Sequence, residues 1–203
     1  MFSMLRLPLL LTCLLAITVT GCNTAMNSSS SQTSSQEEVE APSPEEKEEV
    51  QAFIDKGNQK IANGDYQGAI TELNEALAID ENNAEALAFR GIARSRLEKY
   101  DQALADYNQS LAINADNYHV YYNRGILQTN LEDYESAIAD FSEAIDRKPN
   151  FAPAIGNRGF AYAELENYKD AIADLEKASQ LFEEQGKKRT AYRLQRAARY
   201  IQP

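Results

Sequence analysis

The chain has 203 residues, 43% of them hydrophobic, with nine glycines, six prolines and no tryptophan. This composition fits a helical protein and argues against a β-sandwich or a chain that is disordered throughout. Acidic residues outnumber basic ones by 31 to 20, giving a net charge of −11, and the length allows one ordinary domain or a short array of repeats.

The first residues predict an export signal. Arg6 supplies one positive charge, an apolar run extends from Leu7 to Val19, and small residues then precede a cysteine. The run is too short and too closely followed by polar sequence for a membrane span, so residues 1–21 are predicted to be a signal peptide. An ordinary signal peptide or an uncleaved anchor helix is the alternative, and either would leave Cys22 without a role.

The segment Val19-Thr20-Gly21-Cys22 resembles a bacterial lipobox. In lipoproteins of this kind the cysteine thiol carries a diacylglyceryl group, and the new amino terminus is usually acylated. The resemblance implies that Cys22 is the lipid attachment site and that two or three acyl chains hold the mature protein firmly in a bilayer. Cys13 lies in the removed segment, so the mature chain can form no internal disulfide.

The same resemblance implies an exported, membrane-anchored lipoprotein that faces the periplasm. Asn23 follows the cysteine in place of the aspartate associated with inner-membrane retention, which favours the outer membrane. An exported location also argues against nucleic acid as a partner.

Residues 22–46 are predicted to form a disordered tether. Serine, threonine, asparagine and glutamine dominate 23–36, and the following stretch is acidic with two prolines. Neither part can bury enough apolar surface to offset the entropy of ordering it.

Beyond the tether the sequence repeats with a period of 34 residues. Gly57 starts a series of four glycines at this spacing, Tyr66 a series of tyrosines and Ala69 a series of alanines. A strict period of this length predicts a stacked array. Within each unit the apolar spacing is helical, and in the third unit Glu132-Asp133 marks the turn between two helices. The four predicted units are 50–83, 84–117, 118–151 and 152–185.

This pattern resembles the tetratricopeptide repeat (TPR), with four units in a domain that spans 47–185. The resemblance implies an all-α fold, a right-handed α-solenoid of antiparallel helix pairs. The sequence departs from the family pattern in that proline closes only the third unit, at Pro149. The repeated glycine and alanine are predicted to lie where the two helices cross, because small side chains allow the backbones to approach closely.

An ion pair between the two helices is predicted in every unit. A basic residue precedes each glycine, and an acidic residue lies sixteen positions after that basic residue. The alternative is that these side chains are solvated and form no ion pair. The predicted pairs are Lys56–Glu72, Arg90–Asp106, Arg124–Asp140 and Arg158–Asp174.

Residues 186–203 are predicted to form a basic capping helix. The segment has six basic residues and no acidic one, and its apolar residues, among them Ala191 and Leu194, fall on one side. The last unit of an array exposes an apolar face that such a helix would cover. The basic residues either balance the charge of the acidic array, which we favour, or meet anionic lipid headgroups.

The resemblance further implies a concave groove lined by the first helix of each unit. Aromatic and aliphatic side chains among asparagines suit an extended or helical peptide. A clamp for a terminal carboxylate is not expected, because Ile54 and Ala88 stand where a lysine would be needed. The candidate peptide-binding residues are Ile54, Asn58, Phe89, Ile92, Arg96, Tyr122, Asn123, Ile126, Asn157 and Phe160.

The sequence offers little for catalysis. His119 is the one histidine and has no recognisable partner base, and no metal-binding or phosphate-binding motif is present, so no catalytic residue, cofactor or metal is expected. The predicted function is that of a membrane-anchored adaptor or assembly factor that binds a segment of a client protein. The alternative is a structural scaffold of the cell envelope formed by self-association into a homo-oligomer.

Overall fold

The computed structural model describes residues 42–201, and in this range the chain forms nine α-helices and no strand. The predicted all-α fold is confirmed. The signal peptide, the lipobox with Cys22 and the tether up to residue 41 lie outside the described residues. The helices are α1 (Pro44–Ala62), α2 (Tyr66–Ile79), α3 (Ala84–Arg96), α4 (Tyr100–Ile113), α5 (Tyr118–Asn130), α6 (Tyr134–Arg147), α7 (Ala152–Glu164), α8 (Tyr168–Glu184) and α9 (Lys188–Tyr200).

The first helix begins inside the segment that the composition predicts to be a tether. Ser43 is its N-cap: the Ser43 hydroxyl accepts from the Glu46 N–H at 3.3 Å, and the Glu46 carboxylate accepts from the Ser43 N–H at 2.7 Å. Pro44 occupies the first helical position, where its missing N–H costs nothing. The predicted boundary at residue 46 is therefore wrong, because this local capping box starts the helix at Pro44, two residues before the predicted end of the tether.

The helices pack in pairs, and the pairs stack. The two helices of each pair are joined by three residues, and consecutive pairs by four. Neighbouring first helices also contact one another directly, α1 with α3, α3 with α5 and α5 with α7. This arrangement is a solenoid within a compact unit, Glu40–Pro203, and its first helices form one continuous wall.

The repeated glycines make room for a large side chain of the second helix. A Cβ added at Gly125 would lie 2.7 Å from the Phe141 ring, and one added at Gly91 would lie 2.7 Å from the Tyr107 ring. Leu73 and Leu175 occupy the same place in the first and fourth units. The expectation that glycine serves mainly to bring two backbones together is therefore corrected, because the space is filled by a buried side chain sixteen residues later.

The turn inside each pair has a left-handed residue at its centre. Glu98, Glu132 and Glu166 have φ angles of 59°, 61° and 58°, and Gly64 occupies the same position in the first unit at 78°. The next residue then begins the second helix: the Asp133 side chain, for example, accepts from the Ser136 N–H at 3.2 Å. The predicted turn at Glu132-Asp133 is confirmed.

Three of the four predicted ion pairs are present. The closest nitrogen–oxygen distances are 2.8 Å in Arg90–Asp106, 2.6 Å in Arg124–Asp140 and 2.7 Å in Arg158–Asp174, and the three aspartates are buried. Each carboxylate accepts from two nitrogens of its arginine, the geometry of a strong charge-assisted contact.

The predicted pair in the first unit is wrong. Glu72 pairs with Lys60 at 3.4 Å, whereas Lys56 places its ammonium 5.0 Å from the centre of the Phe53 ring. Lys60 lies one helical turn after Lys56, at the position of Arg94 in the second unit, and Arg94 likewise reaches Asp106. A long side chain on either turn can therefore reach the carboxylate.

The same arginines also bind the preceding unit. Arg124 Nη1 donates to the Asn108 side chain at 2.6 Å, and Arg90 Nη1 donates to Asn74 at 2.8 Å. Arg158 Nη1 donates to the Ser142 hydroxyl at 2.9 Å. Each guanidinium thus connects three helices, two from its own unit and one from the unit before it.

Helix α9 closes the array as the predicted capping helix. Ala191, Leu194 and Ala198 are buried against α8, and the Ser179 hydroxyl donates to the Ala191 carbonyl at 2.8 Å. The apolar side of the segment therefore covers the last pair of helices.

Replacing Gly125 with alanine is expected to lower the free energy of unfolding by about 1 kcal/mol, because overpacking against Phe141 outweighs the better helix propensity of alanine. Gly156→Ala is the matched control: its nearest contact, Ala178, lies at an ordinary 3.5 Å, so a gain of about 0.5–1 kcal/mol is expected. Urea unfolding of both variants measures the difference. Equal effects of the two would contradict the packing role of Gly125.

Replacing Asp140 with asparagine is expected to cost about 3 kcal/mol of stability, because Arg124 would keep its buried charge without a counterion. Glu72→Gln removes the more exposed carboxylate at the same place in the first unit and should cost less than about 1 kcal/mol. Thermal and urea unfolding measure both changes. A cost for Glu72→Gln as large as that for Asp140→Asn would show that burial does not set the strength of these pairs.

Candidate functional site

Three cavities follow one another along the wall of first helices. The first, of about 370 Å³, lies between α3 and α5, and the second, of about 220 Å³, shares Ile92 and Asn123 with it. The third, of about 300 Å³, reaches α7 and shares Ile126 and Asn130 with the second. The shared residues make the cavities one continuous depression, which we call the groove.

The two ends of the groove are apolar. Ala88, Phe89 and Ile92 form the apolar part of the first cavity, together with Val120. At the other end Phe160 stands beside Ile126, and 42% of Phe160 is exposed. Each end therefore offers a place for one apolar side chain of a ligand.

The middle of the groove is polar and contains one cation, Arg96, and one carboxylate, Glu98. Arg96 lines the second cavity with Asn123 and Asn130. Within residues 42–201 no carboxylate lies within 4.0 Å of Arg96, whereas the other five arginines of α1–α8 are ion-paired. The Arg96 guanidinium can therefore take a carboxylate from a ligand, and the two amides can pair with a peptide backbone.

The groove is lined by residues that recur at the same places of successive units. Phe89, Asn123 and Asn157 share one place, and Ile92, Ile126 and Phe160 share the next. Arg96 and Asn130 share a third. Seven of the ten candidate residues thus lie in the groove: Phe89, Ile92, Arg96, Asn123, Ile126, Asn157 and Phe160.

The remaining three candidates lie elsewhere. Ile54 is 1% exposed and belongs to the apolar core, so its assignment to the groove is wrong. Tyr122 falls at the same place of its unit as Ile54, and its ring packs 5.0 Å from the Phe151 ring. Gly156, at the equivalent position of the fourth unit, is also buried, whereas Ala88 of the second unit lines the first cavity. Asn58 is exposed but lies outside the three cavities.

Tyr122 has a supporting role instead. Its hydroxyl accepts from the Asn157 side chain at 3.3 Å, and burial raises the pKa of the phenol. Asn157 is one of the groove residues, so Tyr122 helps to fix the orientation of its amide.

Asn117 also lies in the groove, although it was not among the predicted residues. The Asn117 side chain caps α5 by accepting from the His119 N–H at 3.1 Å, and both residues line the first cavity. An N-cap asparagine at the start of a first helix is the signal that would have indicated it.

His119 lies at the edge of the groove among aromatic rings. Its ring is 4.0 Å from the Tyr118 ring and 5.7 Å from the Phe151 ring. Partial burial, and then the nearby Lys148 ammonium, lower the pKa of His119 below its usual value. The imidazole is therefore uncharged at neutral pH, and it adds a neutral polar group to the apolar end of the groove.

Between residues 42 and 201, no three histidine, cysteine or acidic side chains are grouped as a metal ion would require. None of the described helices combines the length and apolar character needed to cross a bilayer.

Models of the tetratricopeptide repeat match most of the folded part of the chain. A model described as TPR repeat matches residues 57–97, and two described as tetratricopeptide repeat match 84–117, 119–151 and 152–185. No curated protein sequence matches the chain.

Several solved structures have a similar fold. A crystal structure of MamA protein is 21% identical, with a TM-score of 0.60 over 76% of this chain and 92% of that one. Pseudomonas aeruginosa pilF is 20% identical, with a TM-score of 0.61 over 76% and 78%. A tetratricopeptide repeat protein from Parabacteroides merdae is 21% identical, with a TM-score of 0.62 over 75% and 58%. At these identities the likeness concerns the fold alone.

Proposed function

The chain belongs to the tetratricopeptide repeat family, and from that premise we propose that it is a membrane-anchored adaptor or assembly factor that holds a peptide segment of a client protein. The observation that carries the proposal is the groove itself. Its lining changes along the array, from Phe89 to Asn123 and from Arg96 to Asn130 at equivalent positions, whereas the glycine and the buried alanine that form the wall repeat in every unit. A surface of this kind can acquire specificity without any change to the fold.

The chemistry of the groove favours a particular kind of segment. Apolar pockets at the two ends would hold two apolar side chains, and Arg96 between them would pair with an acidic one. The asparagines along the groove would hydrogen-bond to the peptide backbone of the ligand. The proposed client segment is therefore extended or helical, with an acidic residue between two apolar ones.

We further propose that the adaptor is held at a membrane by acyl chains on Cys22. The support is the lipobox-like sequence Val19-Thr20-Gly21-Cys22 at the end of an apolar run. The proposed location is the periplasmic side of the envelope, with the outer membrane favoured over the inner one. No step of the proposed function requires catalysis, a cofactor or a metal.

The client proposal is tested by capturing the full-length protein from its own membrane with its companions. The variant Arg96→Glu with Phe160→Ala changes two exposed groove residues and is expected to lose the client, since truncation of an interface anchor alone costs about 2 kcal/mol, or roughly thirtyfold in affinity. Quantitative mass spectrometry of the captured proteins measures the loss.

The matched control makes the same chemical changes away from the groove. Lys169→Glu with Ile113→Ala reverses one exposed charge and truncates one exposed side chain on second helices, and should retain the companions. If both variants bring down the same proteins, the groove does not hold the client. Concentration-dependent dimers in light scattering, abolished by the groove variant, would favour a self-associating scaffold instead.

The anchor is tested by replacing Cys22 with serine. The wild-type protein is expected to be found in the membrane fraction with a mass increased by its acyl chains, whereas the variant should carry no such mass. Mass spectrometry of the purified membrane form provides the measurement. A wild-type chain with an unmodified cysteine would overturn this part of the proposal.

A further inference from the structure

The outer face of α9 is strongly basic. The helix, Lys188–Tyr200, contains five basic residues and no acidic one. Its buried residues lie on the side that packs against α8, so the helical period places Arg189, Arg193 and Arg196 on the opposite side, where all three are exposed. Arg199 instead lines a cavity together with residues of α8.

The basic side chains of α9 form no ion pair within the described part of the chain. No carboxylate of residues 42–201 lies within 4.0 Å of any basic side chain on α9. By contrast, five of the six arginines in α1–α8 are ion-paired. The absence of local partners argues against the interpretation that α9 merely balances the acidic array.

Two tyrosines accompany the basic residues. Tyr192 is 63% exposed and Tyr200 is 77% exposed, more than any other large hydrophobic residue in the described range. The Arg196 guanidinium lies 5.6 Å from the centre of the Tyr200 ring. Tyrosine next to basic residues is the combination found at membrane surfaces, where the ring lies among headgroups and the cation meets phosphate.

We propose that the outer face of α9 binds anionic phospholipid headgroups and gives the protein a second contact with a bilayer. Its apolar side is already covered by α8, so the contact is electrostatic and superficial, without insertion. Charge complementarity selects the partner: six basic residues are gathered between 187 and 199, whereas all 31 acidic residues lie elsewhere in the chain. An anionic surface would therefore attract α9, repel the remainder and orient the array.

This inference goes beyond the proposed function and does not depend on it. A chain of residues 40–203 contains the whole compact unit and lacks Cys22, so vesicle binding by this chain does not involve the proposed acyl chains. It is expected to co-sediment with vesicles of phosphatidylglycerol and phosphatidylcholine in equal parts, and to remain in solution with phosphatidylcholine alone. Added salt should weaken the binding, because it screens exposed charges.

The decisive variant removes three charges from the outer side of α9, with Arg189, Arg193 and Arg196 changed to glutamine. Each basic residue near an anionic surface strengthens binding roughly fivefold, so the loss of three should weaken it about a hundredfold. The corresponding lysine variant keeps the charges and should bind nearly as well as the wild type. This second variant distinguishes charge from any structural role of the arginines, and circular dichroism checks that both remain folded.

The matched control removes three charges elsewhere. Lys56 on α1, Lys169 on α8 and Lys99, which precedes α4, are all exposed, and changing them to glutamine alters the net charge equally. This control should leave binding to anionic vesicles within about twofold of the wild type, because those residues lie away from the proposed contact. An equal loss in both triple variants would overturn the proposal. Equal binding to neutral vesicles would also overturn it. The same holds if the protein does not bind vesicles and instead forms concentration-dependent dimers that the α9 variant abolishes.

Discussion

The packing of the helices depends on arginine side chains that each bind a residue of their own unit and a residue of the unit before it. Arg124 pairs with the buried Asp140 of its own unit, and its remaining nitrogen donates to Asn108 of the unit before. Burial of a carboxylate is costly unless it is paired and hydrogen-bonded, so this contact fixes the two helices of a unit against each other and against the preceding unit. The same arrangement recurs at Arg90 and Arg158.

This constraint separates the residues that build the array from those that give it specificity. The paired charges, the glycine and the large side chain that fills its space all face neighbouring helices. The positions of Phe89, Ile92 and Arg96 face the groove. Arg96 is exposed, whereas Phe89 and Ile92 are half-buried and also pack against the core. The repeat can keep its geometry while the chemistry of the groove varies from an apolar end to a charged middle.

Much of the fold was predictable because it depends on periodic features. The helix pairs, the turn at Glu132-Asp133 and three ion pairs follow from a spacing of 34 residues, and the groove residues follow from the resemblance to the tetratricopeptide repeat. The failures concern single side chains. Ile54 is in the core, whereas Ala88 at the equivalent position of the second unit lines the groove. The repeat period alone therefore could not assign Ile54 to one or the other. Lys60 replaces Lys56 because both lie on adjacent turns within reach of Glu72.

Lys56 stands where the later units have arginine, and this difference bears on where the array could be lengthened. In later units the arginine at this place uses its outer nitrogen to bind the second helix of the unit before, but no helix precedes α1 in the described chain. Among the described residues, Lys60 of the first unit pairs only with carboxylates of its own unit, Glu72 and Asp65, which a single ammonium can do. Each later unit is bonded to the unit before it by an arginine, so lengthening by duplication is structurally simplest between residues 84 and 185.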